Sequence, residues 1–228
     1  SVAEAVPEHI ALIQGERRIS WRDYEDRAAR LAQGLIDAGL TQHSKVGMYL
    51  YNSPEYAETN FAAMKIGGVP INVNYRYLDE ELHYLLENAD IEALVFHSSL
   101  GDRVARVCDR LPMLKAMICV DDGPAEDGSM GPATGIPYDT FLSQASGTAR
   151  TQPQGDEIYM LYTGGTTGMP KGVMYPLDGF TEFFMRGFPP MIGLPPFEDA
   201  AQFGPAARQM VDANTAVVAM SGPPLMHG

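Results

Sequence analysis

Cysteine is nearly absent: the 228 residues hold two, Cys108 and Cys119. Two thiols cannot build the disulfide framework of a small secreted domain, so a reducing cytoplasm is the expected compartment. Cys108 falls in a helical pattern and Cys119 in an apolar strand, which reads as small core residues rather than nucleophiles. Also missing is any apolar run near the ~20 residues needed to cross a bilayer, so no membrane span is expected. The opening residues Ser1-Val2-Ala3-Glu4-Ala5-Val6 carry no basic start and no long apolar core, and do not read as a signal peptide. Positive charge is scarce: 16 Lys and Arg against 29 Asp and Glu leave a net charge of −13. Such a chain repels nucleic acid at long range, and any anionic ligand must be held by a local trap. His9, His43, His83 and His97 show no metal-ligand spacing, and no metal site is expected.

What is there is a chain with 45% apolar residues, enough for a sizeable core in one or two domains. Apolar periodicity predicts a hairpin over 11–20 turning at Gly15-Glu16, then a helix over 21–38 capped by Ser20 and stopped by Gly39. Strands follow over 46–51, 69–73, 93–96 and 116–120. Helices fall between them over 54–66, with Pro54 at its first position, and over 79–88 and 102–111. Asp79-Glu80-Glu81 reads as the acidic start of a helix rather than a catalytic pair. Strands separated by helices of this length imply βαβ units: an α/β fold with a mostly parallel sheet flanked by helices. Residues 121–135 are rich in charge, Gly and Pro and read as a surface loop. A second polar connection, 146–155, is expected to divide the chain into a first sheet region, 1–146, and a second, 147–228. Beyond it, 179–186 reads as helix. The four prolines of 187–197 forbid a regular helix there. That apolar segment reads either as packing against other protein or as lining for a fatty or steroidal acyl group. Residues 216–220 read as a final buried strand.

The most informative stretch is Thr163-Gly164-Gly165-Thr166-Thr167-Gly168-Met169-Pro170-Lys171-Gly172, straight after the apolar run Ile158-Tyr159-Met160-Leu161-Tyr162. Glycines let a backbone approach a ligand, and successive N–H groups in such a loop form an anion-binding concavity. Thr163, Thr166 and Thr167 add hydroxyls and Lys171 a mobile point charge. The loop is not a Walker A sequence: Pro170 precedes the lysine, Gly172 follows it, and Val173-Met174-Tyr175 reads as a strand rather than a helix. The bland reading of such a segment is a flexible Gly-rich connection. The specific one is a polyphosphate cradle between two strands.

Tyr162 to Val173 resembles the phosphate-loop signature of the adenylate-forming superfamily: acyl-CoA synthetases, peptide-synthetase adenylation domains and firefly-type luciferases. The common form has serine where this chain has Gly164. The glycine form resembles bacterial acyl-CoA synthetases acting on fatty acids and steroid side chains. Pro223-Pro224-Leu225-Met226-His227-Gly228 resembles the family's next motif, a Pro-Leu-x-His-Gly turn near the acyl pocket. Gly67-Gly68-Val69-Pro70-Ile71-Asn72-Val73-Asn74-Tyr75-Arg76 resembles a further segment near the N-terminus.

The resemblance implies a partial N-terminal adenylation domain over 1–228, with the small C-terminal domain absent. It implies a ligase that converts a carboxylic acid and ATP to acyl-AMP and pyrophosphate, and then transfers the acyl group to coenzyme A. ATP, Mg2+ and coenzyme A are the implied cosubstrates. The implied phosphate-binding residues are Thr163, Gly164, Gly165, Thr166, Thr167, Gly168 and Lys171. Lys171 and His227 are the implied catalytic residues, with His227 beside the acyl carboxylate or, on the plainer reading, tethering a loop. The family's Tyr-Gly-x-Thr-Glu segment, ribose-holding aspartate, hinge and adenylation lysine are absent, so the 228 residues alone are expected to form no acyl-adenylate. Exposed apolar surface, with self-association or a homodimer, is expected. Two other readings stay open: an adenylation domain for an amino or aryl acid, and a non-catalytic nucleotide-binding or interaction module.

Overall fold

The computed structural model describes residues 1–123, 134–149, 155–163 and 169–227, with the backbone alone for His227. After a single turn, α1 (Val2–Ala5), come the antiparallel strands β1 (Ile10–Gln14) and β2 (Arg17–Ser20), joined at Gly15 with φ +56°. Helix α2 (Trp21–Asp37) starts where Ser20 accepts the Asp23 N–H at 3.0 Å, and Gly39, at φ +90°, turns the chain out of it. There follow β3 (Lys45–Tyr49), α3 (Pro54–Lys65), β4 (Val69–Asn72), α4 (Asp79–Asn88), β5 (Ile91–His97), α5 (Gly101–Val107), β6 (Ala116–Val120), β7 (Ile136–Pro137) and α6 (Tyr138–Gln144). The acidic start of α4 is tied to the α5 region, where Arg106 pairs with Asp79 and Arg110 with Glu80.

Two further strands, β8 (Ile158–Thr163) and β9 (Lys171–Pro176), complete one sheet in the order β7-β6-β5-β3-β4-β8-β9. Every neighbouring pair is parallel except β8 with β9. Residues 146–155 therefore do not separate one sheet from another: β8 lies beside β4, with Ile71 opposite Met160. Alternate strand residues face opposite layers, as pleating dictates. Val46, Met48, Ala93 and Val95 pack under α2, α3 and α6, while Tyr49, Ile71, Leu94 and Phe96 pack under α4 and α5. Helices on both faces keep the parallel strands dry.

The C-terminal quarter departs from the sequence pattern. Helix α7 (Leu177–Glu182) passes through a π-helical turn, Phe183–Gly187, into α8 (Phe188–Met191). Pro189 and Pro190 carry no N–H to continue the bonding of the turn before them, and the Met185 carbonyl accepts the Phe197 N–H at 2.7 Å instead. Helix α9 (Phe203–Asp212) packs on α1. Residues 216–220 are neither strand nor buried: Val217, Val218 and Met220 are 52%, 83% and 91% exposed. Their continuous apolar run suits a buried strand, but among the described residues no strand pairs with them.

Candidate phosphate-loop site

Because β8 runs parallel to β4, Thr163 stands at the carboxyl end of the parallel strands, the edge where ligands bind in open α/β sheets. Strand β9 returns antiparallel, with Thr163 opposite Lys171 and Tyr162 opposite Gly172. The glycine-rich segment thus joins two strands, as the strand reading of Val173-Met174-Tyr175 predicts. Both Thr163 and Lys171 are exposed. Gly164, Gly165, Thr166, Thr167 and Gly168 lie outside the described residues. Gly172 is dictated by packing: a Cβ there would lie 2.9 Å from Cε2 of Tyr162 and 3.0 Å from Sδ of Met160. The Tyr162 ring is itself fixed, buried to 8% exposure and donating its hydroxyl to Oδ1 of Asn88 at 2.7 Å.

The second predicted element, the turn ending in His227, comes to the same edge. Residues Leu225–His227 form a 3-10 turn held by three side chains. Asn52, between β3 and α3, accepts the Leu225 N–H at 2.7 Å and donates to the Pro223 carbonyl at 3.4 Å. The Tyr56 hydroxyl donates to the Leu225 carbonyl at 3.2 Å. Asn72, at the end of β4, donates Nδ2 to the carbonyls of Met226 and Tyr162 and accepts the Tyr162 N–H at 2.8 Å. One amide therefore touches both the strand leading into the loop and the turn leading to His227.

Helix α3 gives this edge a fixed base. Ser53 caps it, accepting the Tyr56 N–H at 3.3 Å. Glu58, fully buried, accepts from Nε of Arg27 at 2.9 Å and from the Tyr138 hydroxyl at 2.8 Å, linking α3 to α2 and α6. Burial pushes the Glu58 carboxyl above its ordinary value, against the pull of Arg27 and the Tyr138 hydroxyl. Glu55 is also desolvated, yet its bond from Arg17 at 2.5 Å holds it below the ordinary value. Burial likewise pushes the Tyr56 hydroxyl up, so it remains a neutral donor.

Cys108 and Cys119 are half-buried thiols pushed up by burial. His97 is buried beneath Tyr51, accepting the Tyr51 N–H on Nδ1 at 3.0 Å, and burial holds it below its ordinary value. Among the described residues no group of three or more His, Cys, Asp or Glu could hold a metal ion. Nor is any helix among them long and apolar enough to cross a membrane. Sequence reasoning assigned no role to Asn52, Tyr56 or Asn72. The available signal was Asn72 itself, an amide inside the otherwise apolar strand Val69-Pro70-Ile71-Asn72-Val73.

Comparison with known proteins gives the same reading over most of the length. The family model described as AMP-binding enzyme matches residues 1–199. A medium/long-chain-fatty-acid–CoA/3-oxocholest-4-en-26-oate–CoA ligase of Mycolicibacterium smegmatis is 37% identical over 226 residues, covering 99% of this chain and 40% of that protein. A 3-oxocholest-4-en-26-oate–CoA ligase of Rhodococcus rhodochrous is 41% identical over 173 residues, covering 75% of this chain and 31% of the relative. This chain thus spans at most about two fifths of either relative, 40% and 31%. Among solved structures, an anthranilate CoA ligase in complex with anthranoyl-AMP superposes with a TM-score of 0.67 at 22% identity, covering 78% of this chain and 33% of that one. The fold is shared, the strand ends that flank the glycine-rich segment stand with the closing turn at one edge of it, and the family match runs through both strands: the chain belongs to the AMP-binding enzyme family.

Proposed function

We propose that this chain is the N-terminal portion of an AMP-forming acyl-CoA synthetase acting on a medium- or long-chain fatty acid or a steroid side-chain acid. The observation that carries the reading is the β8–β9 hairpin, which brings Thr163 and Lys171 together at the carboxyl edge beside the 223–227 turn. The names of the relatives support the acid class, as does Gly164 in the loop.

In the first half-reaction a carboxylate oxygen attacks the α-phosphorus of ATP. The bond to the α–β bridging oxygen breaks, and pyrophosphate leaves with the electron pair. The coenzyme A thiolate then attacks the acyl carbonyl, the acyl–oxygen bond breaks and AMP departs. Phosphoryl chemistry of this kind is chiefly positioning and charge stabilisation. Lys171 and the hydroxyls of Thr163, Thr166 and Thr167 would bind the β- and γ-phosphates with the N–H groups of Gly164, Gly165 and Gly168. Their charge and hydrogen bonds offset the negative charge that builds on departing pyrophosphate, a local trap in a chain of net charge −13. His227 would stand on the acyl side. Magnesium would be held mainly by phosphate oxygens and water, as the ion prefers. A cytoplasmic location belongs to the same reading. The exposed Phe183, Phe184, Met191 and Met220 support either self-association or cover by further chain.

The test is product analysis of the full-length protein with ATP, coenzyme A and a panel of acids. Acyl-CoA and AMP should accumulate with medium- or long-chain aliphatic or steroid side-chain acids. Activity confined to amino or aryl acids would reject the acid class, and no product with any acid would reject the ligase.

A further inference from the structure

Strands β4 and β8 are adjacent but share a single registered pair, Ile71 with Met160. One residue further along, backbone pairing is replaced by a side chain. The Asn72 amide accepts the Tyr162 N–H at 2.8 Å and donates to the Tyr162 carbonyl at 3.1 Å, as a facing peptide group would. An asparagine amide has two N–H bonds, and the second goes to the Met226 carbonyl. Asn72 is 5% exposed, so these contacts are made away from competing water. Tyr162 precedes Thr163 and the glycine-rich segment, and Met226 precedes His227.

We propose that Asn72 is a positioning residue that locks the root of the phosphate loop to the turn carrying His227, fixing the spacing between the pyrophosphate and acyl sides of the reaction. This rests on the ligase reading above for its catalytic consequence, but not for the physical coupling. Asn72 acts through Tyr162 and Met226. Without Nδ2 the turn keeps its hydrogen bonds to Asn52 and Tyr56 but loses the one to the amide that also holds the loop's root. A displacement of about 1 Å between reacting groups can cost about 100-fold in rate.

Two substitutions separate the bonds. Asn72→Asp keeps an acceptor for the Tyr162 N–H but turns an oxygen toward the Met226 and Tyr162 carbonyls. Asn72→Ala removes everything. In hydrogen exchange of the folded chain, Asn72→Ala should accelerate both the Tyr162 and Leu225 amides by about tenfold, the scale of one hydrogen bond. Asn72→Asp should accelerate Leu225 while sparing Tyr162. Acceleration at Tyr162 alone in both variants, or at neither amide, overturns the coupling whatever the protein catalyses. In the full-length protein, ATP should bind either variant at the wild-type number of sites and within about twofold of wild-type Kd. Acid-dependent pyrophosphate exchange per bound site should fall about 100-fold. A loss of sites with an unchanged rate per site would reduce Asn72 to a merely structural residue and overturn the proposal. Failure of the wild-type protein to exchange with any acid would instead strike the ligase reading, leaving the amide-exchange result to decide the coupling.

Discussion

Replacing Tyr138 by Phe removes one hydroxyl from the base that carries the site and leaves the ring's volume unchanged. That hydroxyl donates to Oε2 of Glu58 at 2.8 Å, and Glu58 has no exposed surface. Arg27 still reaches Oε1 at 2.9 Å, so the carboxylate loses one of two partners. A hydrogen bond to a charged buried group contributes about 1.5–3 kcal/mol, which gives an expected loss of about 2 kcal/mol near neutral pH. At about 2–4 °C per kcal/mol for a chain of this size, the melting temperature should drop about 4–8 °C. The pH dependence identifies the cause. Burial already holds the folded Glu58 carboxyl above its ordinary value, so its contribution is fully present below the unfolded value and is lost as pH rises through the folded one. Removing a donor to the ionised form raises the folded value further and enlarges that loss. The deficit of the variant should therefore be full at neutral pH and shrink to about half at an acid pH below the folded value, because a neutral bond is about half as strong as a charge-assisted one. Urea unfolding of both proteins at the two pH values measures it. A deficit that is the same at both, or larger in acid, would refute the assignment of the loss to the Glu58 carboxylate.

Two further outcomes follow from the site. Gly172→Ala places a methyl within 2.9 Å of the Tyr162 ring edge and must displace a ring tied to Asn88. Overpacking of this kind costs about 1–3 kcal/mol, and near-ultraviolet circular dichroism should report the altered tyrosine packing together with weaker ATP binding; unchanged spectra and affinity would contradict it. The 228 residues by themselves should show no acid-dependent pyrophosphate exchange, and robust exchange by the purified chain would show that its half of the site suffices.

Much of the architecture is legible in local sequence because local chemistry decides it. Ser20 and Ser53 cap α2 and α3 as their positions suggest, and Gly15 and Gly39 adopt the positive φ that turns require. The strand before the Gly/Thr segment and the strand after it are read from their apolar runs. What local pattern lacks is the identity of a partner. That β8 lies beside β4 depends on contact between Ile71 and Met160, distant in sequence, and one side-chain amide. The polar stretch 146–155 therefore reads as a boundary between sheets, although strands on both sides of it belong to one sheet. Residues 216–220 fail for the converse reason: a short continuous apolar run suits a buried strand but supplies no neighbour to bury it. Helix α9 tolerates Gly204 and Pro205 because both fall in its first turn, where the backbone N–H groups need no partner in the helix. Asn72 is visible only as an anomaly, one amide in a buried apolar strand, and its three bonds give the anomaly its reason.

The central claim is that the hairpin between Thr163 and Lys171 holds the phosphates of ATP. The most direct measurement is acid-dependent ATP–pyrophosphate exchange in the full-length protein, wild type against Lys171→Met. Lys171 is exposed at the start of β9, so the substitution should leave the melting temperature unchanged. Loss of one charged contact to phosphate, worth about 1.5–3 kcal/mol, should lower exchange about 10- to 100-fold. Exchange at the wild-type rate in Lys171→Met would contradict the account.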